Sequence, residues 1–127
     1  MKPHVLLSIL LLVFVACNQK ASSNATIDFI PGIYTAYYEN EFHKTFDTLV
    51  IKQNIAGNRV YDINRAIYYT TMVDGKTLTP VYKKEATVGL FDEKNNILVE
   101  QTHGSIISFD PANNTLQKGN IKYKKLN

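Results

Sequence analysis

The sequence predicts an all-β fold: a single small antiparallel meander, barrel or sandwich of about 8 strands, following an N-terminal signal segment. Three observations predict it. From Gly32 onward, short segments rich in β-branched and aromatic residues alternate with turn-forming clusters, at the spacing of roughly 8–12 residues expected of strands. Eight Tyr and six Phe supply bulky side chains suited to pleated surfaces, while Trp is absent. No stretch combines a sustained helical period with a capping signal.

Taken in order, Ile33 to Glu39 is the first expected strand. Phe46 to Gln53 is the second, with Leu49 and Ile51 on one face and Phe46, Thr48 and Val50 on the other. Val60 to Asn64 and Ile67 to Val73 read as two further strands. Asp74-Gly75 marks a tight hairpin turn, because such turns need positive φ. Thr77 to Tyr82 is interrupted by Pro80, whose missing N–H predicts an edge or a bend. Ala86 to Asp92 and Ile97 to Thr102 form a hairpin around Glu93-Lys94-Asn95-Asn96. His103-Gly104 turns the chain into Ser105 to Phe109, and Asp110-Pro111-Ala112-Asn113-Asn114 makes the next turn. Thr115 to Gln117 and Ile121 to Lys125 complete the set. The doublets Tyr37-Tyr38, Tyr68-Tyr69 and Ile106-Ile107 place apolar groups on both faces. Two readings stand for the outward tyrosines: the wet side of a barrel, or a contact surface for a partner or a glycan.

The first residues are organised differently. Met1-Lys2-Pro3-His4 is a positive start, and Val5 to Ala16 is apolar except for Ser8. Such a run spans roughly 18 Å as a helix, against a hydrocarbon core of about 30 Å. It matches an export signal with a small residue, Ala16, before the cleavage point. Phe14-Val15-Ala16-Cys17 resembles the end of a bacterial lipoprotein signal, with Phe14 where such signals prefer Leu. The resemblance implies cleavage before Cys17, a diacylglyceryl group on its sulfur and often a further acyl chain. The alternative is an ordinary secretory signal with an incidental cysteine. The expected organisation is a signal peptide at 1–16, a lipidated Cys17 and flexible tether at 17–30, and a β-rich domain at 31–127. Several acyl chains, each buried methylene contributing about 0.8 kcal/mol, would anchor the chain firmly.

Removing residues 1–16 leaves 111, enough for one small domain. The formal charge falls from +3 to +2 with the loss of Lys2, which gives no electrostatic case for nucleic acid. Lys118, Lys122, Lys124 and Lys125 are the densest basic cluster. They are expected to solvate and protect an outer strand, with binding of anionic headgroups as the alternative. Once Cys17 is lipidated no thiol remains, so stability rests on the apolar core and the strand ladders.

Catalytic groups are not expected. His43 and His103 are isolated and lack metal-ligand spacing; His103 precedes Gly104 in a turn and reads as a solvated loop residue. Glu39 with Glu41, and Asp92 with Glu93, lie beside expected turns, where solvated carboxylates are the plainer reading than an acid/base pair. The glycines form no phosphate-cradling loop. No catalytic, cofactor or metal site is therefore assigned, and Cys17 is the single site residue. Asn24-Ala25-Thr26 and Asn113-Asn114-Thr115 match the N-glycosylation pattern, with no use expected in a bacterial lipoprotein. Asp47-Thr48-Leu49 is similar to the O-glycosylation motif of exported Bacteroidota proteins; a Thr48 packed inside a strand would not be modified.

Two wider resemblances follow. Cys17, Ile30-Pro31-Gly32-Ile33-Tyr34, Asp47-Thr48-Leu49-Val50-Ile51 and Gly119-Asn120-Ile121-Lys122-Tyr123 resemble small uncharacterised lipoproteins of Bacteroidota, some of which travel with conjugative elements. Asn18-Gln19-Lys20 lacks the acidic residues that mark surface export there, which implies a periplasm-facing anchor. Gly32-Ile33-Tyr34 opening a meander is similar to the Gly-x-Trp start of lipocalin-like barrels, with Tyr34 in place of Trp. The resulting expectation is a non-enzymatic envelope lipoprotein, attached to a membrane through lipid on Cys17 and binding a protein partner. The alternative is a lipocalin-like carrier of a small apolar ligand.

Overall fold

A computed structural model describes residues 22–55 and 59–126. Among these residues nine strands follow one short α-helix: α1 (Ser23–Phe29), β1 (Gly32–Glu39), β2 (His43–Gln53), β3 (Val60–Val73), β4 (Lys76–Thr77), β5 (Val81–Asp92), β6 (Ile97–Glu100), β7 (Ile106–Asp110), β8 (Thr115–Lys118) and β9 (Ile121–Lys125). All strand pairs are antiparallel, and the order β2-β1-β9-β8-β7-β6-β5-β3 closes on itself through β2–β3. The result is an eight-stranded closed barrel, with β4 an extra strand paired to the far end of β3. Of the architectures the sequence left open, the barrel is the one formed.

Eight strands enclose an interior just wide enough to be filled by side chains. Alternate residues supply them. Tyr34, Leu49, Ile51, Tyr61, Ile63, Leu98, Ile107, Leu116 and Tyr123 are all at most 2% exposed. Each such burial contributes about 1.5–3 kcal/mol. Three of the eight tyrosines are therefore core residues rather than wet-face ones. Tyr34 reaches past the apolar layer and donates to the carbonyls of Phe29 (2.7 Å) and Ile30 (2.9 Å), so its burial leaves no polar atom unsatisfied.

Closure also changes the reading of the lysine cluster. β9 is not an outer strand: it pairs with β8 along its length and with β1 through Tyr34↔Lys125 and Thr35↔Lys124. Lys122 and Lys124 are exposed, but Lys125 donates to the Phe29 carbonyl at 2.6 Å and lies 4.3 Å from the Phe29 ring centroid. Lys118 faces the interior.

The expected tether is partly replaced by structure. Ser22 caps α1, its side chain accepting from the Ala25 N–H at 3.2 Å, and Ile30 is fully buried. Phe29 stacks edge-on with Tyr34 and Phe109, so α1 closes the barrel end from which β1 departs. Sequence reasoning missed this helix because it is under two turns long and its apolar residues, Ile27, Phe29 and Ile30, are too few for a helical period. The signal peptide and Cys17 lie outside the described residues.

Strand lengths were the other departure. Val60–Val73 is one continuous strand, not two, because Arg65 points inward and keeps the alternation running. β5 starts at Val81, immediately after Pro80, and β6 ends at Glu100 rather than Thr102. Asp74 and Gly75 both take positive φ (50° and 73°), which completes the tight turn into β4. β2, β3 and β5 are thus 11 to 14 residues long, whereas β6 to β9 are 4 or 5, so one wall overhangs the other.

Gly89 on β5 is packed closely against core side chains. A Cβ there would sit 2.8 Å from Leu98 Cγ and 2.9 Å from Ile63 Cδ1. Gly89→Ala is expected to cost about 1–3 kcal/mol through overpacking, read as a lowered Tm in thermal unfolding; an unchanged Tm would show that the core can give way there.

Candidate functional site

The barrel end opposite α1 is lined by polar side chains, and strict alternation puts them there. On β2, the inward series Ile51, Leu49, Asp47, Thr45 changes from apolar to polar as the strand leaves the core. On β3 the series Tyr61, Ile63, Arg65 does the same, and on β6 it is Leu98 followed by Glu100. Lys118 ends β8 at the same level.

Asp47 is 1% exposed. Arg65 Nε and Nη2 donate to its two oxygens at 3.0 and 2.6 Å, Tyr123 donates at 2.7 Å and Tyr38 at 3.2 Å. One carboxylate thereby ties β1, β2, β3 and β9 together. The hydrogen bond to Asp47 holds the Arg65 guanidinium above its ordinary range, against the effect of burial. Burial, with Asp47's hydrogen bond and charge, pushes the Tyr123 hydroxyl up in the same way.

Glu100 is 2% exposed and equally occupied. It accepts from Thr87 Oγ1 at 2.6 Å and from the backbone N–H groups of Thr102 and His103. Burial alone would raise its carboxyl, but the hydrogen bonds from Thr87, His103 and Thr102 outweigh it and hold the group below the usual carboxylate range.

Beside Arg65 and Glu100 lies an open pocket of about 260 Å³. Leu49 and Ile63 line its apolar part; Arg65, Thr87, Glu100 and Lys118 line its polar part, with Glu85, Thr102 and His103 at the rim. The Lys118 ammonium makes no hydrogen bond or ion pair with any described residue. Burial lowers its pKa, the Arg65 charge adds to this, and the charges of Asp47, Glu100 and Glu85 oppose it.

A second feature lies outside the barrel. Tyr37, Phe46, Tyr68 and Tyr82 are direct cross-strand neighbours on β1, β2, β3 and β5. All four are between 42% and 57% exposed, so they form an outward aromatic row. The Tyr37 and Phe46 rings are 4.6 Å apart.

The residues weighed in the sequence fall apart in space. His103 reaches the pocket rim, whereas His43 stacks edge-on with Tyr69 at 5.8 Å. Glu39 is exposed and accepts from Tyr37 at 2.9 Å. Asp92 accepts from the Asn95 side chain at 2.7 Å within its turn, and Glu93 pairs with exposed Arg59 at 2.7 Å. Thr48 sits mid-strand between Thr35 and Ala66, and its neighbour Asp47 is committed inside, so this motif is part of the barrel wall. Asn114 takes the left-handed conformation and donates to the Lys125 carbonyl at 3.0 Å. Among the described residues, no three His, Cys, Asp or Glu side chains converge as a metal-binding group, and no helix is long and apolar enough to cross a membrane. Sequence reasoning missed Arg65 and Glu100, and read Asp47 and Lys118 only as parts of a glycosylation-like motif and a basic cluster; a charged residue at an inward position of a strand was the available signal. Comparison of the chain with protein-family models, curated proteins and solved structures finds no match.

Removing one partner of a buried pair strands the other's charge. Arg65→Met is expected to cost about 3–5 kcal/mol in denaturant unfolding, and adding Asp47→Leu to recover most of it; equal stability of Arg65→Met and wild type would show that Asp47 is reached by water. Glu100 supplies a pH dependence. Its folded pKa lies below the ordinary value of 4.5, so its contribution to stability is full above that value and is lost as pH falls through the folded one. Glu100→Gln is expected to flatten this acid limb of a Tm-versus-pH profile, and an unaltered limb would assign acid sensitivity elsewhere.

Proposed function

We propose that this protein is a non-enzymatic envelope lipoprotein, held to a membrane by lipid on Cys17 and presenting the open end of its barrel for binding. The observation that carries the reading is the difference between the barrel's two ends. One end is shut by α1; the other opens into a pocket whose lysine has no partner among the described residues.

The helix also supports an orientation for a chain anchored in this way. Ser22 caps α1 only five residues after Cys17. A chain spans at most about 3.3–3.6 Å per residue, so a lipid on Cys17 holds the α1 end within roughly 20 Å of the bilayer. The pocket then faces away from the membrane, toward the periplasm in the reading suggested by Asn18-Gln19-Lys20. The resemblance to small Bacteroidota lipoproteins supports the same placement. The reading includes a protein partner in the envelope, for which the aromatic row of Tyr37, Phe46, Tyr68 and Tyr82 supplies exposed apolar area.

The carrier reading draws its support from the same pocket, in a changed form. The lower barrel is filled by its own tyrosine, leucine and isoleucine side chains, and the pocket with the inward lysine lies at the charged end. That arrangement favours a small polar ligand over a wholly apolar one.

Cys17→Ser tests the anchor. In cells fed labelled palmitate, the wild type is expected to take up label and sediment with membranes, whereas the variant is expected to remain unlabelled and leave the membrane fraction. Unchanged sedimentation and migration of the variant would overturn the proposal.

A further inference from the structure

A lysine ammonium facing into a barrel needs a reason. Lys118 is the last residue of β8, half-buried, and points into the pocket between Arg65 and Glu100. Burying a cation without a partner is costly, and proteins ordinarily pair such a group. Here the two deeply buried carboxylates at this level are already engaged. Asp47 accepts from Arg65, Tyr38 and Tyr123. Glu100 accepts from Thr87, Thr102 and His103.

The donors are not engaged to the same extent. Arg65 uses Nε and Nη2 on Asp47, while its Nη1 lies 3.8 Å from Glu85, outside hydrogen-bond range. Glu85, 46% exposed at the rim, is the ion-pair partner of that nitrogen. The pocket thus holds one cation, Lys118, with no ion-pair partner among the described residues, while its buried negative groups are committed elsewhere. Beneath the donors, Leu49 and Ile63 offer an apolar floor. The volume of about 260 Å³ falls just short of the ~300–1,000 Å³ that drug-sized ligands occupy.

We infer that the barrel mouth binds a small organic carboxylate, its charged end on Lys118 and its short carbon body on Leu49 and Ile63. This rests on the reading of the open barrel end as the binding face. The carboxylate supplies the partner that Lys118 lacks, and charge-assisted hydrogen bonds in a partly desolvated site are the strong kind. A long acyl chain is excluded by the filled core below.

The test is a titration of the full-length protein in detergent, followed through the backbone amide signals of Thr87, Thr102 and His103. Hexanoate, hexanol, hexylamine and inorganic phosphate are the probes. Hexanoate is expected to shift these signals saturably and to bind at least about tenfold more tightly than the other three, a difference of about 1.4 kcal/mol. Lys118→Gln is expected to weaken hexanoate about tenfold, and Lys118→Arg to keep it. No saturable shift, equal binding of hexanol or phosphate, or indifference to Lys118→Gln overturns the inference. Should Lys118→Gln fail to fold, the comparison among the four probes on the wild type decides alone. The titration does not depend on where the protein resides. Hexanoate binding that persists in a Cys17→Ser chain still found with membranes would sink the anchor and leave the ligand class standing; the reverse pair of results would sink the ligand class alone.

Discussion

The carboxylate of Asp47 is the constraint on which the rest of the structure depends. It lies in a barrel interior with almost no contact with water, and it is tolerable there only because a guanidinium and two phenolic hydroxyls converge on it. Those groups come from strands far apart in sequence. Tyr123 reaches Asp47 across 76 positions of chain, and Arg65 does so across 18. The cluster therefore acts only when β1, β2, β3 and β9 are in register. A slip by one residue would turn Asp47 outward and bring Phe46 or Thr48 in. The cluster also draws the boundary between two kinds of interior. Below it, aromatic and aliphatic side chains fill the barrel; above it, polar groups line an opening.

The same alternation explains why the fold was legible and the site was not. The strand segments, the Asp74-Gly75 turn and the turns around Asn95 and Pro111 each carry a local signal, a period of two or a residue that accepts positive φ. These local signals add up to the meander. α1 was invisible for the converse reason: its seven residues gain their stability from Tyr34 and Phe109, which no local pattern reveals. Arg65 split one strand into two in the sequence because a charge in an apolar series reads as an interruption. Its role depends on Asp47, and that pairing is a property of the closed barrel. Lys118 was grouped with Lys122, Lys124 and Lys125 because they are neighbours in the chain. Three-dimensional structure separates them into one inward group, two solvated ones and one that donates to the Phe29 carbonyl at the end of α1.

The unequal walls give the open end its character. The short strands β6 to β9 stop near the level of Glu100 and Lys118, whereas β2, β3 and β5 continue. The pocket is consequently roofed on one side only, and its rim on the low side is the segment after Glu100. That segment is held by Glu100 itself, through the Thr102 and His103 N–H groups. A buried acid thus organises the loop that borders the opening, while the other buried acid secures the strands that form its long wall.

The seam between β1 and β9 has a kinetic consequence. Its backbone pairing is limited to Tyr34↔Lys125 and Thr35↔Lys124, so it joins residues about 90 positions apart with very few ladder bonds. The other seven seams are hairpins, or join strands close in sequence, and can form before the chain ends meet. Closure is then the last and slowest ordering event, since distant contacts must overcome the largest loop entropy. Until it occurs, β1 and β9 are bare edges, and intermolecular pairing competes with folding. Tyr123, reaching through that seam to Asp47, is the side-chain latch that ends this vulnerable interval.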